Sequence, residues 1–136
     1  MKKKQFLYCQ ICGNIVEKVY DSGNVLTCCS KNMMELEAGV TDGKVEFHVP
    51  VCEMNGTHVT IKIGQEPHPM ETDHYIEWIE VVTDKGVIRR FFRPGDKPKF
   101  EFELEADEKI CTIYSYCNKH KLWKAKCNKD SDKNDK

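Results

Sequence analysis

The chain has 136 residues, 40% hydrophobic and 32% charged, and its charges nearly cancel at a formal −1. That length fits one ordinary domain, or a small metal-held module with a domain behind it. Near-neutrality leaves no global field to draw in nucleic acid, and no stretch approaches the ~18 apolar residues of a membrane span, so neither partner is expected.

Met1-Lys2-Lys3-Lys4 has the basic character of a secretory leader, but Tyr8-Cys9-Gln10-Ile11-Cys12 interrupts the apolar run a leader needs. The expected location is the cytoplasm. Eight cysteines are many for that compartment. Where thiols stay reduced, clustered cysteines more often hold metal than pair as disulfides. Residues 1–37 carry four cysteines and no histidine, whereas residues 38–127 carry the other four cysteines and all five histidines. The split predicts two modules, 1–37 and 38–127, with the boundary in the Gly- and Thr-Asp-containing stretch 37–43. Residues 128–136 have no apolar side chain and are expected to form a disordered polar tail.

In the first module, Cys9-Gln10-Ile11-Cys12 is followed by Cys28-Cys29. Four thiolates in so short a segment can surround one tetrahedral ion, and Gly13 suits the turn that points the first pair inward. The segment is too small to fold on apolar burial alone, so bound metal would supply most of its folding energy. Adjacent ligands are less usual for zinc, but the same sulfurs bind zinc or iron, and spacing leaves both open.

The second module reads as strands over residues 45–54, 58–63, 74–82, 87–92, 100–105, 110–116 and 121–126. Phe100-Glu101-Phe102-Glu103-Leu104-Glu105 alternates apolar and charged, as a sheet with one buried face requires. Asn55-Gly56 reads as a tight hairpin turn and Asp84-Lys85-Gly86 as another. Helical periodicity is absent. The prediction is a mainly β protein, a small metal-binding module followed by a seven-stranded antiparallel sandwich, immunoglobulin-like in architecture but without a Cys-Trp-Cys framework.

His48 sits in Glu46-Phe47-His48-Val49-Pro50, His68 between Pro67 and Pro69, and His74 six residues on; Cys117-Asn118-Lys119-His120 places a thiolate and an imidazole at a strand end. Strand ends and loops cluster at one end of a sandwich, where these stretches can converge. Four imidazoles and one thiolate exceed zinc's usual four ligands and argue for iron with one open position. A thiolate opposite that position would push electron density onto the metal, which suits redox chemistry on a small oxygen species. His58 has no such motif and is set aside. Cys52, Cys111 and Cys127 read as buried or incidental thiols, and Trp78 and Trp123 as packing.

Cys9-x-x-Cys12 with Cys28-Cys29 resembles the desulforedoxin module. The stretches around His48, His68-Pro69-Met70, His74-Tyr75-Ile76-Glu77-Trp78-Ile79 and Cys117-Asn118-x-His120 resemble the signatures of superoxide reductases. Together they are similar to the desulfoferrodoxins, the two-iron form, over nearly the whole chain except the tail. The resemblance implies a rubredoxin-like iron held by Cys9, Cys12, Cys28 and Cys29, dispensable for the chemistry and suited to electron relay. It implies a catalytic iron with His48, His68, His74 and His120 in the plane and Cys117 axial, and a sixth position taken by Glu46 in the oxidised resting state. It also implies one-electron reduction of superoxide to hydrogen peroxide, a donor such as rubredoxin, and a homodimer. One departure stands out. The family pattern commonly has a lysine before the first histidine, thought to attract superoxide and help protonate the product; here Phe47 occupies that position. Lys119 is the first candidate to replace its charge, with Lys121 and Lys44 behind it. A pure electron carrier and a colourless zinc protein used as an interaction module remain the alternatives.

Overall fold

A computed structural model describes residues 5–39, 48–64 and 68–127. The chain divides into two compact units, Met1–Glu37 and Ala38–Lys136. Among the described residues no helix is long and apolar enough to cross a membrane.

The first unit is built from β1 (Gln5–Tyr8), β2 (Ile15–Lys18), β3 (Thr27–Cys28), β4 (Lys31–Asn32) and β5 (Met34–Glu35). β1 is the centre of an antiparallel sheet in the order β2-β1-β5, and β3 and β4 form a separate ribbon. Among its described residues only Phe6, Leu7, Cys9 and Leu36 are buried, while Val19, Tyr20 and Val25 stand in solvent. So small a core cannot offset the entropy of ordering the segment.

The second unit contains β6 (Pro50–Asn55), β7 (His58–Ile63), β8 (Ile76–Thr83), β9 (Val87–Phe91), β10 (Lys99–Glu103), β11 (Ile110–Cys117) and β12 (Lys121–Ala125). These seven strands make two antiparallel sheets, β10-β7-β6 and β12-β11-β8-β9. The first, second and fifth strands of the unit thus face the third, fourth, sixth and seventh, an immunoglobulin-like arrangement in which the fourth strand pairs with the third. Period-2 alternation drives it. Val59, Ile61 and Ile63 of β7 turn inward, Phe100 pairs with Ile61, and both pack with Ile76, Ile79, Val81 and Ile113 of the facing sheet. β8 is covered on both faces: on the outer one Trp78 stacks on Tyr116, and the fully buried Glu80 is met by Arg89 of the neighbouring strand.

The β6–β7 turn falls one residue later than the Asn55-Gly56 expectation. Asn55 pairs with His58, and Gly56-Thr57 form the loop, with Gly56 at φ +64°. A positive φ at the first central position is the type II′ geometry that matches strand twist, and glycine adopts it without strain. The predicted strand over 74–82 begins later, at Ile76, because His74 is held in a tight turn whose backbone exchanges hydrogen bonds between Glu71 and His74 at 2.9 and 3.1 Å.

The thiol reading of Cys52 and Cys127 is overturned. They form a disulfide across 75 residues of sequence, with Cα atoms 5.0 Å apart, while Cys111 is a free, half-buried thiol. Sequence separation concealed the pairing; the fold brings β6 against the strands that lead to Cys127. The expected tail at 128–136, part of the 37–43 boundary, and Lys44, Glu46 and Phe47 lie outside the described residues.

Candidate metal centres

In the first unit the sulfurs of Cys9, Cys12, Cys28 and Cys29 all lie within 4.8 Å of one another. Cys9 directly follows β1, and the chain then folds back on itself, Gly13 N donating to Cys9 O at 3.0 Å and Cys9 N to Asn14 O at 2.9 Å. Inside this turn the amides of Ile11 and Cys12 point at Cys9 Sγ, at 3.4 and 3.5 Å. Those donors, Cys12 first, pull the Cys9 thiol down to about 6, whereas the crowding of the other sulfurs, Cys12 first, pushes Cys29 up to about 12. Four thiols this close cannot all ionise without a cation among them.

Adjacent cysteines in an extended strand would point to opposite faces. Here Cys28 pairs with Lys31, so Cys29-Ser30 is a two-residue hairpin loop with φ +53° and +63°. That is the type I′ combination, normally the province of Asn-Gly. Holding two non-glycine residues in the left-handed region costs of order 1–3 kcal/mol each, a strain typical of functional sites. It turns both sulfurs toward the Cys9–Cys12 pair.

The second group assembles at the end of the sandwich where β11 stops and β8 and β12 begin. His48 lies two residues ahead of β6, His68 and His74 precede β8, Cys117 closes β11, and His120 immediately precedes β12. Donor atoms of His48, His74, Cys117 and His120 fall within 4.8 Å of one another. His68 joins them ring to ring, its centroid 4.6 Å from that of His48 and 4.9 Å from that of His74. His48 Nε2 and His120 Nδ1 are 3.0 Å apart, and Cys117 Sγ is 3.9 Å from His120 Nδ1.

Local devices aim each side chain. The β8–β11 register shifts between Tyr116 and Cys117, where Cys117 pairs with Ile76 and leaves Glu77 as the extra residue. Such a bulge re-aims the strand end beside it. Asn118 binds three main-chain groups of the His74 stretch: its N donates to Tyr75 O at 3.2 Å, its Oδ1 accepts from Tyr75 N at 3.0 Å, and its Nδ2 donates to Asp73 O at 3.0 Å. Ser115 Oγ, fully buried, donates to the carbonyl of His48 at 3.0 Å. Lys121 takes a left-handed φ of +65° as the chain turns from His120 into β12.

The donor chemistry fits a transition-metal ion. His68 Nδ1–H donates to Pro69 O at 2.6 Å, which leaves the buried Nε2 as the unprotonated nitrogen of the neutral ring. His68 Nε2 and His74 Nε2 are buried without a hydrogen-bond partner, a costly state that coordination would relieve. Burial pushes His68 down to about 4, and burial ahead of the charges of His120 and Lys119 lowers His74, so both rings are neutral ligands at neutral pH. Burial raises the Cys117 thiol against the pull of the His120 and Lys119 amides, so a thiolate there calls for a cation. Five donors are more than zinc normally takes and suit iron.

Of the other candidates, His58 lies away from the group, between Glu101 and Glu103, in keeping with its having been set aside. Lys119 is exposed on the Cys117–His120 loop with its charge felt at His74 and Cys117, and Lys121 acts on Glu77. Sequence reasoning missed Asn118 and Ser115 and reduced Trp123 to packing. Only the position of Asn118 between two ligand types hinted at its role.

A β-sandwich with four imidazoles and a thiolate gathered at one end, in a chain that also carries a four-thiolate module, defines a non-haem metalloprotein with two centres. The chain belongs to the desulfoferrodoxin family, whose model matches residues 40–126. It is 46% identical over 121 residues to a desulfoferrodoxin homolog of Archaeoglobus fulgidus, covering 89% of this chain and 95% of that one. It is 43% identical to a desulfoferrodoxin of Nitratidesulfovibrio vulgaris, covering 86% and 91%. The superoxide reductase of Treponema pallidum superposes with a TM-score of 0.76 at 29% identity, over 92% of this chain and 100% of that one. The family binds two iron ions, and both donor groups are present here.

Proposed function

We propose that this protein is a superoxide reductase, converting superoxide to hydrogen peroxide by one electron and two protons. The carrying observation is the convergence of His48, His68, His74 and His120 with the buried Cys117 at one end of the sandwich. Family membership and the likeness to the Treponema pallidum reductase support the same reading. When bound, iron in this group supplies the electron and an open position for the substrate.

The protein's own residues do the rest. His48, His68 and His74 offer Nε2 and His120 offers Nδ1. Neutral imidazoles leave the ion its charge, which attracts an anionic substrate, while the Cys117 thiolate donates electron density from within the core. The half-exposure of His74 and His120 leaves an approach for a small anion. Lys119, on the loop between Cys117 and His120, adds a positive charge in place of the lysine absent at Phe47. Glu46 is assigned, by family resemblance, to close the open position in the resting state. Cys9, Cys12, Cys28 and Cys29 hold a second, rubredoxin-like iron within a desulforedoxin-like module spanning 1–37, ahead of the reductase domain at 38–127. The reading extends to a rubredoxin-like donor, electron relay through the first centre, a homodimer and a cytoplasmic location, all carried by family membership.

Metal analysis, with visible spectra before and after ascorbate and a superoxide assay, tests it. Two irons per chain, two separable ferric chromophores, and one peroxide per superoxide without oxygen release are expected. A colourless zinc protein, or iron at the four-cysteine site alone, would refute it.

A further inference from the structure

Cys52 and Cys127, bonded to each other and outside both metal groups, join the outermost strands of the two sheets. β6, which carries Cys52, ends the three-stranded sheet; β12, two residues ahead of Cys127, ends the four-stranded one. The sulfur bridge therefore connects the two sheets through their outermost strands. Both residues are half-buried, packed against the core cluster yet within reach of a small solute. The same two strands frame the histidine group, since β6 begins two residues after His48, and β12 follows directly on His120 and carries Trp123.

We propose that Cys52 and Cys127 are a peroxide-oxidisable dithiol, a covalent clip that hydrogen peroxide closes across the two sheet edges. One thiolate attacks a peroxide oxygen; the O–O bond breaks, releasing hydroxide and leaving a sulfenic acid. The second thiol then displaces the sulfenic oxygen as water, forming the S–S bond. In sum, two thiols and one hydrogen peroxide give one disulfide and two waters, with the sulfurs oxidised and the peroxide oxygens reduced. Superoxide reduction supplies that oxidant within the same protein; this source rests on the reductase reading, whereas the thiol chemistry does not. Closing a link over 75 residues restricts the unfolded chain and holds β6 against the end of β12. Cys111, a free thiol on β11, serves as an internal control.

The test uses iron-loaded protein, reduced with a phosphine without oxygen, freed of reductant and given hydrogen peroxide in excess of what its irons can consume. Alkylation and peptide mapping should find Cys52 and Cys127 both open beforehand and joined as one linked peptide pair afterwards, with Cys111 still alkylatable. The melting midpoint should rise by roughly 10 °C on closure, a rise lost in Cys52→Ser and kept in Cys111→Ser. Thiols that remain alkylatable after peroxide overturn the proposal, as does a bond that the phosphine cannot open in the folded protein. Because the peroxide is added from outside, such a failure counts against the clip alone; absence of superoxide turnover counts against the reductase reading.

Discussion

The imidazole of His48 lies stacked on the indole of Trp123, with ring centroids 4.8 Å apart and planes 23° apart, and the same indole donates Nε1–H to the carbonyl of His120 at 2.9 Å. One buried side chain thus holds one candidate ligand by its face and another by its main chain. Because a donor's lone pair points where its ring points, such outer contacts set metal affinity. Trp123→Phe keeps an aromatic face and drops the hydrogen bond; Trp123→Leu drops both. Chelator competition should show weaker iron binding at the histidine site by about 10-fold for Phe and nearer 100-fold for Leu, with the four-cysteine site unmoved. Equal affinities would remove Trp123 from the site.

Asn118 couples the Cys117–His120 loop to the His74 turn through both ends of its amide. Asn118→Ala leaves Tyr75 N and Asp73 O without those partners. We expect a stability loss of about 1–3 kcal/mol in urea denaturation, and faster iron release from the histidine site. Asn118→Asp keeps the acceptor for Tyr75 N but sets a carboxylate oxygen against the Asp73 carbonyl, so it should rescue only part of the loss. A stable Ala variant with normal iron retention would show that the two loops are held by other contacts.

Cys117 is fully buried at the end of β11, within the core cluster. Cys117→Ser preserves the size of the side chain while replacing the soft sulfur donor. It should abolish superoxide turnover and the long-wavelength band of the histidine site, at a folding cost of about 1–3 kcal/mol for a buried hydroxyl. Turnover that survived in the Ser variant would end the case for Cys117 as the thiolate that would hold the metal.

The grouping of four histidines with Cys117 was legible because His and Cys are scarce residue types placed at strand ends and in stiff proline-flanked turns. The strands were legible where one face is polar, as in the alternation of Phe100 to Glu103. Boundaries were less so. His74 looked like the first residue of a strand because the apolar run begins beside it, but its main chain closes a turn with Glu71. The adjacent pair Cys28-Cys29 was recognisable as a donor pair, yet nothing in Cys-Ser announces a type I′ turn, because that conformation is imposed against local preference. The Cys52–Cys127 bond lay beyond local patterns altogether, as its partners meet only once two sheets have formed.

The first unit buries few side chains among its described residues and gathers four thiols. Its folding should therefore depend on metal in a way that the sandwich, with its Val59, Ile61, Ile79, Val81 and Ile113 core, does not. Stripping metal with a chelator under mild acid should erase hydrogen-exchange protection in β1, β2 and β5 while β7, β8 and β11 keep theirs. Protection retained in β1 of the metal-free protein would mean that the apolar core suffices after all.

His58 sits between two carboxylates on the neighbouring strand, with Nε2 2.9 Å from Glu101 and Nδ1 2.5 Å from Glu103. The hydrogen bond to Glu103, then that to Glu101, raises the His58 pKa above its ordinary 6.5, and the same bonds lower both glutamates below 4.5. For the histidine, the stabilisation is fully present below pH 6.5 and fades as pH rises through the higher folded-state value. For the glutamates it is present above pH 4.5 and fades as pH falls through their depressed values. The cluster should therefore contribute most between pH 4.5 and 6.5 and weaken toward alkaline pH. The groups are exposed, so salt should shrink the effect. Thermal denaturation of the wild type and of His58→Gln from acid to alkaline pH checks it: the gap between them should be widest in that window and narrow above it, most clearly at low ionic strength. A gap that does not vary with pH would mean that the ring contributes only as a neutral hydrogen-bonding group.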